Sequence, residues 1–365
     1  MKITLVAGAR PNFIKIAPLI DEIKRRRNLG DDISYRLVHT GQHYDDAMSG
    51  QFFKELNIPQ PDTNLNCSGH TQAEQTASIL VAFEADLVDH PCDLVLVVGD
   101  VNSTMACAIS AKKLNIPVAH VEAGIRSFDD RMPEEINRKL TDAISDLCFT
   151  TTQDAKDFLI QSGHDKNKVF FVGNVMIDSL LNHKSSFKKP AIFIKEKLEK
   201  KKYWVMTLHR PSNVDDKSEL NLLIEDILNY IGEQKVIFPM HPRTRKAFGL
   251  ELEKHSNLII TEPLGYLEFN YLVENALGVL TDSGGITEET SVMGVPCISL
   301  RENTERPETI ELGTNVLAGK DRNKIQNYIE LIKSNKWKSA RPIPLWDGKA
   351  SERIINHLLK YNHVL

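Results

Sequence analysis

Short apolar runs with the composition of buried β-strands alternate along this chain with longer segments in which apolar residues recur at helical spacing. Each run ends in a polar or glycine-containing turn. Strands separated by helical stretches predict parallel sheets with helices on both faces, so we expect an α/β fold. The apolar runs lie at residues 3–7, 35–39, 94–98, 117–121, 169–172, 204–208, 236–240, 258–260, 277–280 and 297–300.

Two such α/β series are separated by a charged stretch without clear periodicity, which follows Gly173 and Asn174. A chain of 365 residues is long for one domain and sufficient for two. We therefore predict two Rossmann-like parallel-sheet domains, residues 1–174 and 175–350. Facing each other, they would form a cleft, which is a favoured place for ligands.

Helical patterns also predict helices from Pro133 to Ile144 and from Tyr266 to Asn275, and a final helical pattern covers residues 352–361. Asn102 or Ser103 could cap the helix that follows the strand at 94–98.

Composition restricts the classes of function. The hydrophobic fraction of 41% and the charged fraction of 26% are those of a soluble globular protein. A net charge of −4 does not favour electrostatic binding of nucleic acid. The cysteines are scattered without metal-ligand spacing, and no apolar run has the length of a signal peptide or a membrane span. We expect a cytoplasmic protein that uses no metal ion and binds neither nucleic acid nor membrane.

Polar residues concentrate where the predicted strands of the first half end. Ligands of parallel sheets bind at these carboxyl ends, so several polar residues at successive strand ends indicate a site rather than separate caps. The first turn, GARPN, has a single glycine, and no G-x-G-x-x-G motif follows any strand. A nicotinamide is therefore not expected, and we predict no cofactor. The strand-end residues of this half are Arg10, Gln42, His43, Asp100, Glu122 and Arg126.

The second half presents different residues at its strand ends. One strand delivers His209 and Arg210, and the next delivers His241 and Arg243. The strand at 277–280 leads into TDSGG and a helix. A glycine pair there lets a phosphate approach the N–H groups at the positive end of the helix dipole, and a following glutamate can accept bonds from sugar hydroxyls. The stretch predicts a nucleotide site, and an ordinary strand–turn–helix joint is the alternative.

Several segments, taken in order, together resemble the non-hydrolysing UDP-N-acetylglucosamine 2-epimerases. They are the strand-end GD, VEAGIRS followed by MPEEINR, LHRPSN, TDSGGITEE and LRENTERPE. The resemblance covers nearly the whole chain, and the combination and order of the motifs are specific. It implies a glycosyltransferase-B-like fold whose C-terminal helix, 351–365, packs back on the first domain. It also implies a homodimer that interconverts the gluco and manno forms of a UDP-linked 2-acetamido sugar.

The resemblance further implies roles for individual residues. Asp100, Glu122 and Glu134 resemble the family's acid–base carboxylates, with their assignment to the two faces of C2 left open. His209 resembles the catalytic histidine, which stabilises or protonates the departing phosphate. Glu288 could take the place of Glu289 at the ribose. The expected substrate-binding residues are Arg10, Lys15, Arg210, His241, Arg243, Ser283, Gly284, Gly285 and Glu289.

The chemistry accounts for these residue types. The C2 proton of the sugar is not acidic, because no carbonyl group is attached to C2. If a nicotinamide does not oxidise the sugar, the remaining route is elimination, in which a base removes the C2 proton while UDP leaves C1. UDP then adds back to the 2-acetamidoglucal with protonation on the opposite face. This route needs carboxylates on both sides of C2 and cationic groups on the diphosphate.

Other functions share parts of this inventory. Departures from common family motifs, such as HRPSN and Thr287 in SGGITEE, leave room for a UDP-diacetamido sugar or uronic acid as the substrate. A glycosyltransferase of the same fold would share the UDP site, but it rarely needs several carboxylates around the sugar ring. A catalytically silent nucleotide-sugar sensor would be expected to lack a carboxylate or His209. A hydrolysing 2-epimerase, which releases UDP and free N-acetylmannosamine, shares the motifs and stays open.

Overall fold

The structure is a computed structural model that describes residues 1–41, 53, 55–240, 242–249, 252 and 254–361, with only the backbone described for Arg10 and Pro242. The chain divides into two compact units. The first comprises Met1–Asn182 and Pro344–Leu365, and the second comprises His183–Ile343.

A sheet of parallel strands forms the centre of the first unit. Within the described residues it has seven strands, in the order β3-β2-β1-β4-β5-β6-β7. The strands are β1 (Lys2–Ala7), β2 (Ser34–His39), β3 (Thr63–Asn64), β4 (Leu94–Val98), β5 (Val118–Ala123), β6 (Leu147–Thr150) and β7 (Val169–Phe171). The helices up to the end of this segment are α1 (Arg10–Asn28), α2 (Gln72–Asp89), α3 (Asn102–Lys113), α4 (Pro133–Ile144), α5 (Gln153–Gln161) and α6 (Val175–His183).

The second unit has its own parallel sheet. Its described part has six strands, in the order β10-β9-β8-β11-β12-β13. The strands are β8 (Tyr203–Thr207), β9 (Lys235–Pro239), β10 (Leu258–Thr261), β11 (Gly278–Thr281), β12 (Cys297–Ser299) and β13 (Asn315–Leu317). The helices are α7 (Ala191–Lys195), α8 (Pro211–Val214), α9 (Lys217–Ile231), α10 (Pro242–Ala247), α11 (Tyr266–Asn275), α12 (Gly284–Met293), α13 (Pro307–Glu311) and α14 (Arg322–Lys333).

Both strand orders are those of doubly wound, nucleotide-binding sheets, so the predicted pair of Rossmann-like parallel sheets is confirmed. The order reverses between β1 and β4 in the first unit and between β8 and β11 in the second. The carboxyl ends of the strands beside such a reversal border the crevice in which these sheets bind ligands. Each unit therefore has one switch point where a ligand is expected.

The central strands are buried on both faces. All five residues of β4, LVLVV, are buried, which explains a continuous apolar run instead of an alternating one. Helix α4 begins at Pro133 with Glu134 and Glu135 in its first turn, as predicted. Proline suits that position because its missing N–H would have no helical partner, and the two carboxylates face the positive end of the helix dipole.

The predicted cap of α3 by Asn102 or Ser103 is wrong. Val101 occupies the cap position, and no side chain caps the helix. The amide of Asn102 donates instead to the side-chain oxygens of Gln72 and Gln75 in α2, at 2.6 and 2.7 Å. The hydroxyl of Ser103 lies 2.7 Å from that of Thr40. Both side chains that were predicted as caps therefore form hydrogen bonds with residues distant in the sequence.

The boundary between the units lies after residue 182, whereas the predicted boundary was after residue 174. Helix α6 stays with the first unit because it packs there: the hydroxyl of Ser179 donates to the carbonyl of Ile14 in α1. Residues 344–350 also belong to the first unit, whereas they were assigned to the second domain.

The last helix, α15 (Ala350–Tyr361), belongs to the first unit. Asp178 of α6 caps it, accepting from the backbone N–H groups of Ala350 and Ser351 at 3.0 and 2.7 Å. Just before it, the indole of Trp346 donates to the carbonyl of Thr151 at 3.1 Å. These contacts hold α15 on the first unit. None of the helices in the described residues has the length and apolarity that crossing a membrane requires.

Candidate active site

Asn12 ties the turn between β1 and α1 to the end of β4. Its side-chain oxygen accepts from the N–H groups of Gly8 and Ala9 at 3.2 and 2.9 Å, and its amide donates to the carbonyl of Val98 at 3.0 Å. Position 8 requires glycine, because a Cβ there would lie 2.2 Å from Oγ of Ser103. Asn12 therefore fixes the positions of the carboxyl ends of β1 and β4, the two strands beside the first switch point.

Lys15 and Glu122 form a buried ion pair at this edge of the sheet. Nζ of Lys15 contacts Oε2 of Glu122, and the two residues are 8% and 7% exposed. Glu122 has a φ of +77°, in the left-handed region that residues other than glycine rarely adopt. Such strain persists where the surroundings enforce it, and it is concentrated at functional sites. The structure thus brings together two residues predicted for the site.

Asp100 joins this cluster one residue after Gly99. A Cβ on Gly99 would lie 3.0 Å from Nζ of Lys15. The carboxylate of Asp100 accepts from Nε and Nη2 of Arg138 at 3.0 and 2.6 Å, and its side chain is 28% exposed. Both bonds come from one guanidinium and end on the same oxygen, Oδ2, so they hold that oxygen in place. Asp100 is therefore oriented and still partly accessible.

The two adjacent glutamates at the start of α4 have different environments. Glu135 is wholly buried and accepts from Nη1 of Arg138 at 2.7 Å and from the backbone N–H of Ser127 at 2.9 Å. Glu134 is half-buried, and within the described residues it has no hydrogen bond or ion pair. Glu135 thus holds the arginine that contacts Asp100, although Glu135 was not predicted as a site residue.

A second buried network, formed by His120, Asp142 and Arg126, contacts the turn at Gly99. The ring of His120 lies 2.7 Å from Asp142 through Nδ1 and 2.8 Å from the carbonyl of Gly99 through Nε2. Nη1 of Arg126 lies 2.7 Å from Asp142. Burial by itself would raise the pKa of Asp142, but His120 and Arg126 outweigh it and lower that pKa. Arg126, predicted as a strand-end residue, thus contacts this network.

In the second unit, His209 and Asp282 meet across the switch point, after β8 and β11. Nδ1 of His209 lies 2.8 Å from Oδ1 of Asp282. Asp282 is wholly buried and also accepts from the N–H groups of His209 and Arg210, at 3.0 and 2.9 Å, and from the amide of Asn213 at 3.1 Å. Burial opposes ionisation, but the hydrogen bond and charge of His209 lower the pKa of Asp282. Asp282 was not among the residues predicted for the site.

The glycine turn opens α12 with Ser283 at the cap position. The N–H of Ser283 donates to Oγ1 of Thr281 at 3.0 Å. Arg301, which follows β12, brings its guanidinium to this turn, since a Cβ on Gly284 would lie 3.7 Å from its Nη1. Gly285 follows within the helix and is half-buried. Arg301 was not predicted as a binding residue, although it stands at a strand end in LRENTERPE.

Glu305 links two of the arginines near this turn. It accepts from Nη1 and Nη2 of Arg301, both at 2.8 Å, and it lies 4.0 Å from Nη2 of Arg210. Arg210 is therefore part of the same charged cluster as Arg301.

Glu288 and Glu289 point to different partners, although they are adjacent in α12. Glu288 contacts Nε of Arg306, whereas Glu289 accepts from the hydroxyl of Tyr266 at 2.9 Å. Both glutamates are buried. Burial, together with repulsion from Glu288, raises the pKa of Glu289 to about 7, against the hydrogen bond from Tyr266.

A family model described as UDP-N-acetylglucosamine 2-epimerase matches residues 24–359. The chain belongs to the UDP-N-acetylglucosamine 2-epimerase family. This membership confirms the resemblance of the motifs and the predicted isomerase class.

Individual members of the family are similar in sequence to this chain along nearly their whole length. A UDP-N-acetylglucosamine 2-epimerase of Methanocaldococcus jannaschii is 43% identical over 98% of this chain and 99% of its own. A UDP-2,3-diacetamido-2,3-dideoxy-D-glucuronate 2-epimerase of Pseudomonas aeruginosa is 39% identical over 99% of this chain and 100% of its own.

Solved structures agree with the fold. The crystal structure of the Methanocaldococcus jannaschii UDP-GlcNAc 2-epimerase with UDP-GlcNAc and UDP has a TM-score of 0.88 and 42% identity, covering 98% of this chain and 99% of that one. The UGT2 protein of Phytolacca americana, at 12% identity and a TM-score of 0.58 over 99% of both chains, shares the fold alone. The glycosyltransferase-B-like fold class is thereby confirmed.

Of the remaining residues predicted for substrate binding, Arg243 is paired with an exposed carboxylate, and the others lie outside the described residues. Arg243 forms an ion pair with Asp215, with Nη2 and Oδ1 2.8 Å apart and both side chains about half exposed. The side chain of Arg10 and all of Gln42, His43 and His241 lie outside the described residues. In the described part of this epimerase-family chain, no group of three or more acidic, histidine or cysteine residues could hold a metal ion.

Proposed function

We propose that this protein reversibly inverts C2 of UDP-N-acetylglucosamine to give UDP-N-acetylmannosamine. The observation that carries the proposal is the cluster of Asp100, Glu122 and Lys15 at the first switch point, with Glu122 in a strained conformation. A nucleotide-binding sheet uses this edge for its ligand, and here the edge offers groups that transfer protons. Membership of the epimerase family supports the same reaction.

We infer that the reaction proceeds by elimination and re-addition. A carboxylate takes the C2 proton, the electron pair of the C2–H bond forms the C1=C2 double bond, and the C1–O bond breaks with its pair passing to UDP. UDP then adds back to C1 of the 2-acetamidoglucal while an acid delivers a proton to the opposite face of C2. One proton is removed from C2 in the first half and one proton is delivered to C2 in the second, and the C1–O bond that breaks forms again, so no oxidant is consumed.

Exposure and charge support the proposed roles in the first unit. Asp100 is accessible and oriented by Arg138, which suits a group that must meet a proton at a defined position. Glu122 lies in direct contact with Lys15, and we infer that its carboxylate acts as a base or stabilises positive charge. Glu134 provides the third carboxylate from the first turn of α4.

The second unit is proposed to bind the UDP group. The amino end of α12 favours a diphosphate through its N–H groups and dipole, and Arg301 adds a cation beside Gly284. Apart from Arg301, no described neighbour outside the local backbone would come within 4 Å of a Cβ on Gly284. Packing therefore does not account for this glycine, whereas close approach of a ligand does. Arg210 and Arg243 would add positive charge, and Glu289 would accept from the ribose hydroxyls.

A second candidate substrate is a UDP-2,3-diacetamido sugar acid. The Pseudomonas aeruginosa relative named as an epimerase of that kind matches the chain almost as well as the Methanocaldococcus jannaschii one, at 39% against 43% identity. The elimination chemistry would be the same, because C2 and the UDP leaving group are common to both substrates. The ratio of kcat/KM for the two decides, and we expect it to favour UDP-N-acetylglucosamine.

Incubation with UDP-N-acetylglucosamine in deuterated water tests the reaction. We expect proton NMR to show loss of the C2 hydrogen signal as the manno epimer forms, and phosphorus NMR to show the diphosphate still attached to the sugar. Deuterium enters because the protonated carboxylate exchanges with solvent. Product that retains hydrogen at C2 would exclude elimination, and free sugar as the main product would exclude the non-hydrolysing reaction.

The affinity for UDP is expected to fall at acidic pH because of Glu289. Its pKa of about 7 means that Glu289 is largely protonated below that pH, whereas ribose hydroxyls bind best to the ionised carboxylate. Binding must then displace the proton, and the Kd should rise by up to about tenfold per pH unit below 7.

Calorimetric titration with UDP between pH 5.5 and 8, for wild type and Glu289→Gln, checks this expectation. The glutamine cannot ionise, so the difference between the two proteins removes the contribution of the phosphate's own titration. Equal pH dependence in both would contradict the placement of Glu289 at the nucleotide.

A further inference from the structure

Nδ1 of the His209 imidazole contacts a buried carboxylate. Nδ1 lies 2.8 Å from Oδ1 of Asp282, which is wholly buried, whereas the side chain of His209 is 42% exposed. The Nδ1 edge of the ring therefore faces the protein, and Nε2 lies at the opposite edge. A ring held in this way can turn little without breaking the contact with Asp282.

The chemistry of Asp282 decides which nitrogen carries the proton. Its carboxylate accepts hydrogen bonds from three donors: the backbone N–H groups of His209 and Arg210 and the side-chain amide of Asn213. An ionised carboxylate only accepts hydrogen bonds, and this set of donors keeps Asp282 ionised despite its burial. Nδ1 must then be the donor, so in the neutral ring the lone pair lies on Nε2.

We propose that Asp282 is a positioning residue that keeps His209 in the Nδ1–H tautomer and thereby makes Nε2 the atom that exchanges a proton with UDP. This inference rests on the elimination proposed above. As the C1–O bond breaks and its electron pair passes to the phosphate oxygen, the Nε2–H of the imidazolium gives its proton to that oxygen. The pair of the N–H bond stays on Nε2, and the same proton returns when UDP adds back.

The geometry favours a positioning role for Asp282 over a purely structural one, in which it would only link the two loops that follow β8 and β11. The backbone N–H groups and Asn213 would be satisfied by any fixed acceptor, but the bond to Nδ1 involves the exposed side chain of a predicted catalytic residue. A carboxylate at that place stabilises the imidazolium as well as orienting it, as in hydrolases that pair histidine with aspartate.

Asp282→Asn tests the proposal. The amide oxygen can keep the bonds from the backbone N–H groups, while its NH₂ group would face Nδ1 and favour the Nε2–H tautomer. We expect nitrogen NMR of histidine-labelled protein to show His209 as Nδ1–H in wild type and as Nε2–H in the variant. We expect kcat to fall roughly 10- to 50-fold with KM changed less than about threefold.

Two comparisons separate positioning from a structural role. In a His209→Asn background, Asp282→Asn should cost no further activity, since its effect is transmitted through the imidazole. Asn213→Ala, which removes another donor to Asp282 without touching the ring, should leave the tautomer of His209 unchanged.

An unchanged tautomer in Asp282→Asn would overturn the proposal, and so would an equal loss of activity in both backgrounds. The NMR measurement needs no substrate. A failure of the proposed reaction is therefore distinguishable from a failure of this inference.

Discussion

Replacing Asp100 by asparagine is expected to lower kcat for epimerisation by about 1,000-fold or more, while the Kd for UDP stays within about twofold of wild type. The amide cannot take the C2 proton, but its oxygen can still accept both N–H groups of Arg138, so the turn should keep its shape. UDP is proposed to bind to the second unit, which this change does not touch.

The matched control is Asp146→Asn. Asp146 is also a partly exposed carboxylate of the first unit, with 22% side-chain exposure against 28% for Asp100, and it is paired with Lys112. It lies directly before β6, at the amino end of the sheet, where it accepts from the N–H of Val118 at 2.8 Å. Its variant should retain kcat within about threefold. Comparable losses in both variants would remove Asp100 from the proposed chemistry.

The second large effect is expected for His209→Asn, with kcat lower by about 100- to 1,000-fold. Asparagine can place an N–H near the position of Nδ1 and so keep the contact with Asp282, whereas nothing replaces Nε2. The variant therefore separates proton exchange from the structural link between the two loops. Steady-state kinetics measured by separating the two epimers give kcat and KM independently.

His255→Gln serves as the control for this prediction. His255 is half-buried in the second unit and lies before β10, at the amino end of that sheet, with its carbonyl accepting from the N–H of Leu258. Its replacement should leave kcat within about twofold. Retention of wild-type kcat in His209→Asn would exclude a role for the imidazole in proton exchange.

The local elements of this fold are readable from the sequence where several signals agree. The strand at 94–98 and the helices at 133–144 and 266–275 have the predicted bounds. The strand is an unbroken β-branched and leucine run, and the first of the helices has proline and two glutamates in its first turn. The domain boundary was less accessible, because the pattern of α6 shows an apolar face but not which of two cores covers it.

The candidate site was predictable as a set of positions but not as a set of contacts. Strand ends after β1, β4, β5, β8 and β11 follow from the alternation of elements, since parallel strands place their carboxyl ends along one edge. Glu134 and Glu135 look alike in sequence, yet one is half-buried and the other is wholly buried against Arg138. Burial separates them, and burial depends on how α4 lies against the turn at Asp100.

The amino-acid sequence was sufficient to predict the alternation of strands and helices, the two parallel sheets, the edge that carries the polar residues and the family. It could do so because periodicity, turn chemistry and motif order are properties of neighbouring residues. Two features are visible only in the folded chain: Asp282 contacts His209, 73 residues earlier in the chain, and Arg301 reaches the glycine turn. Those contacts depend on which strands become neighbours in the sheet, and the residue pattern of a single strand does not specify its neighbours.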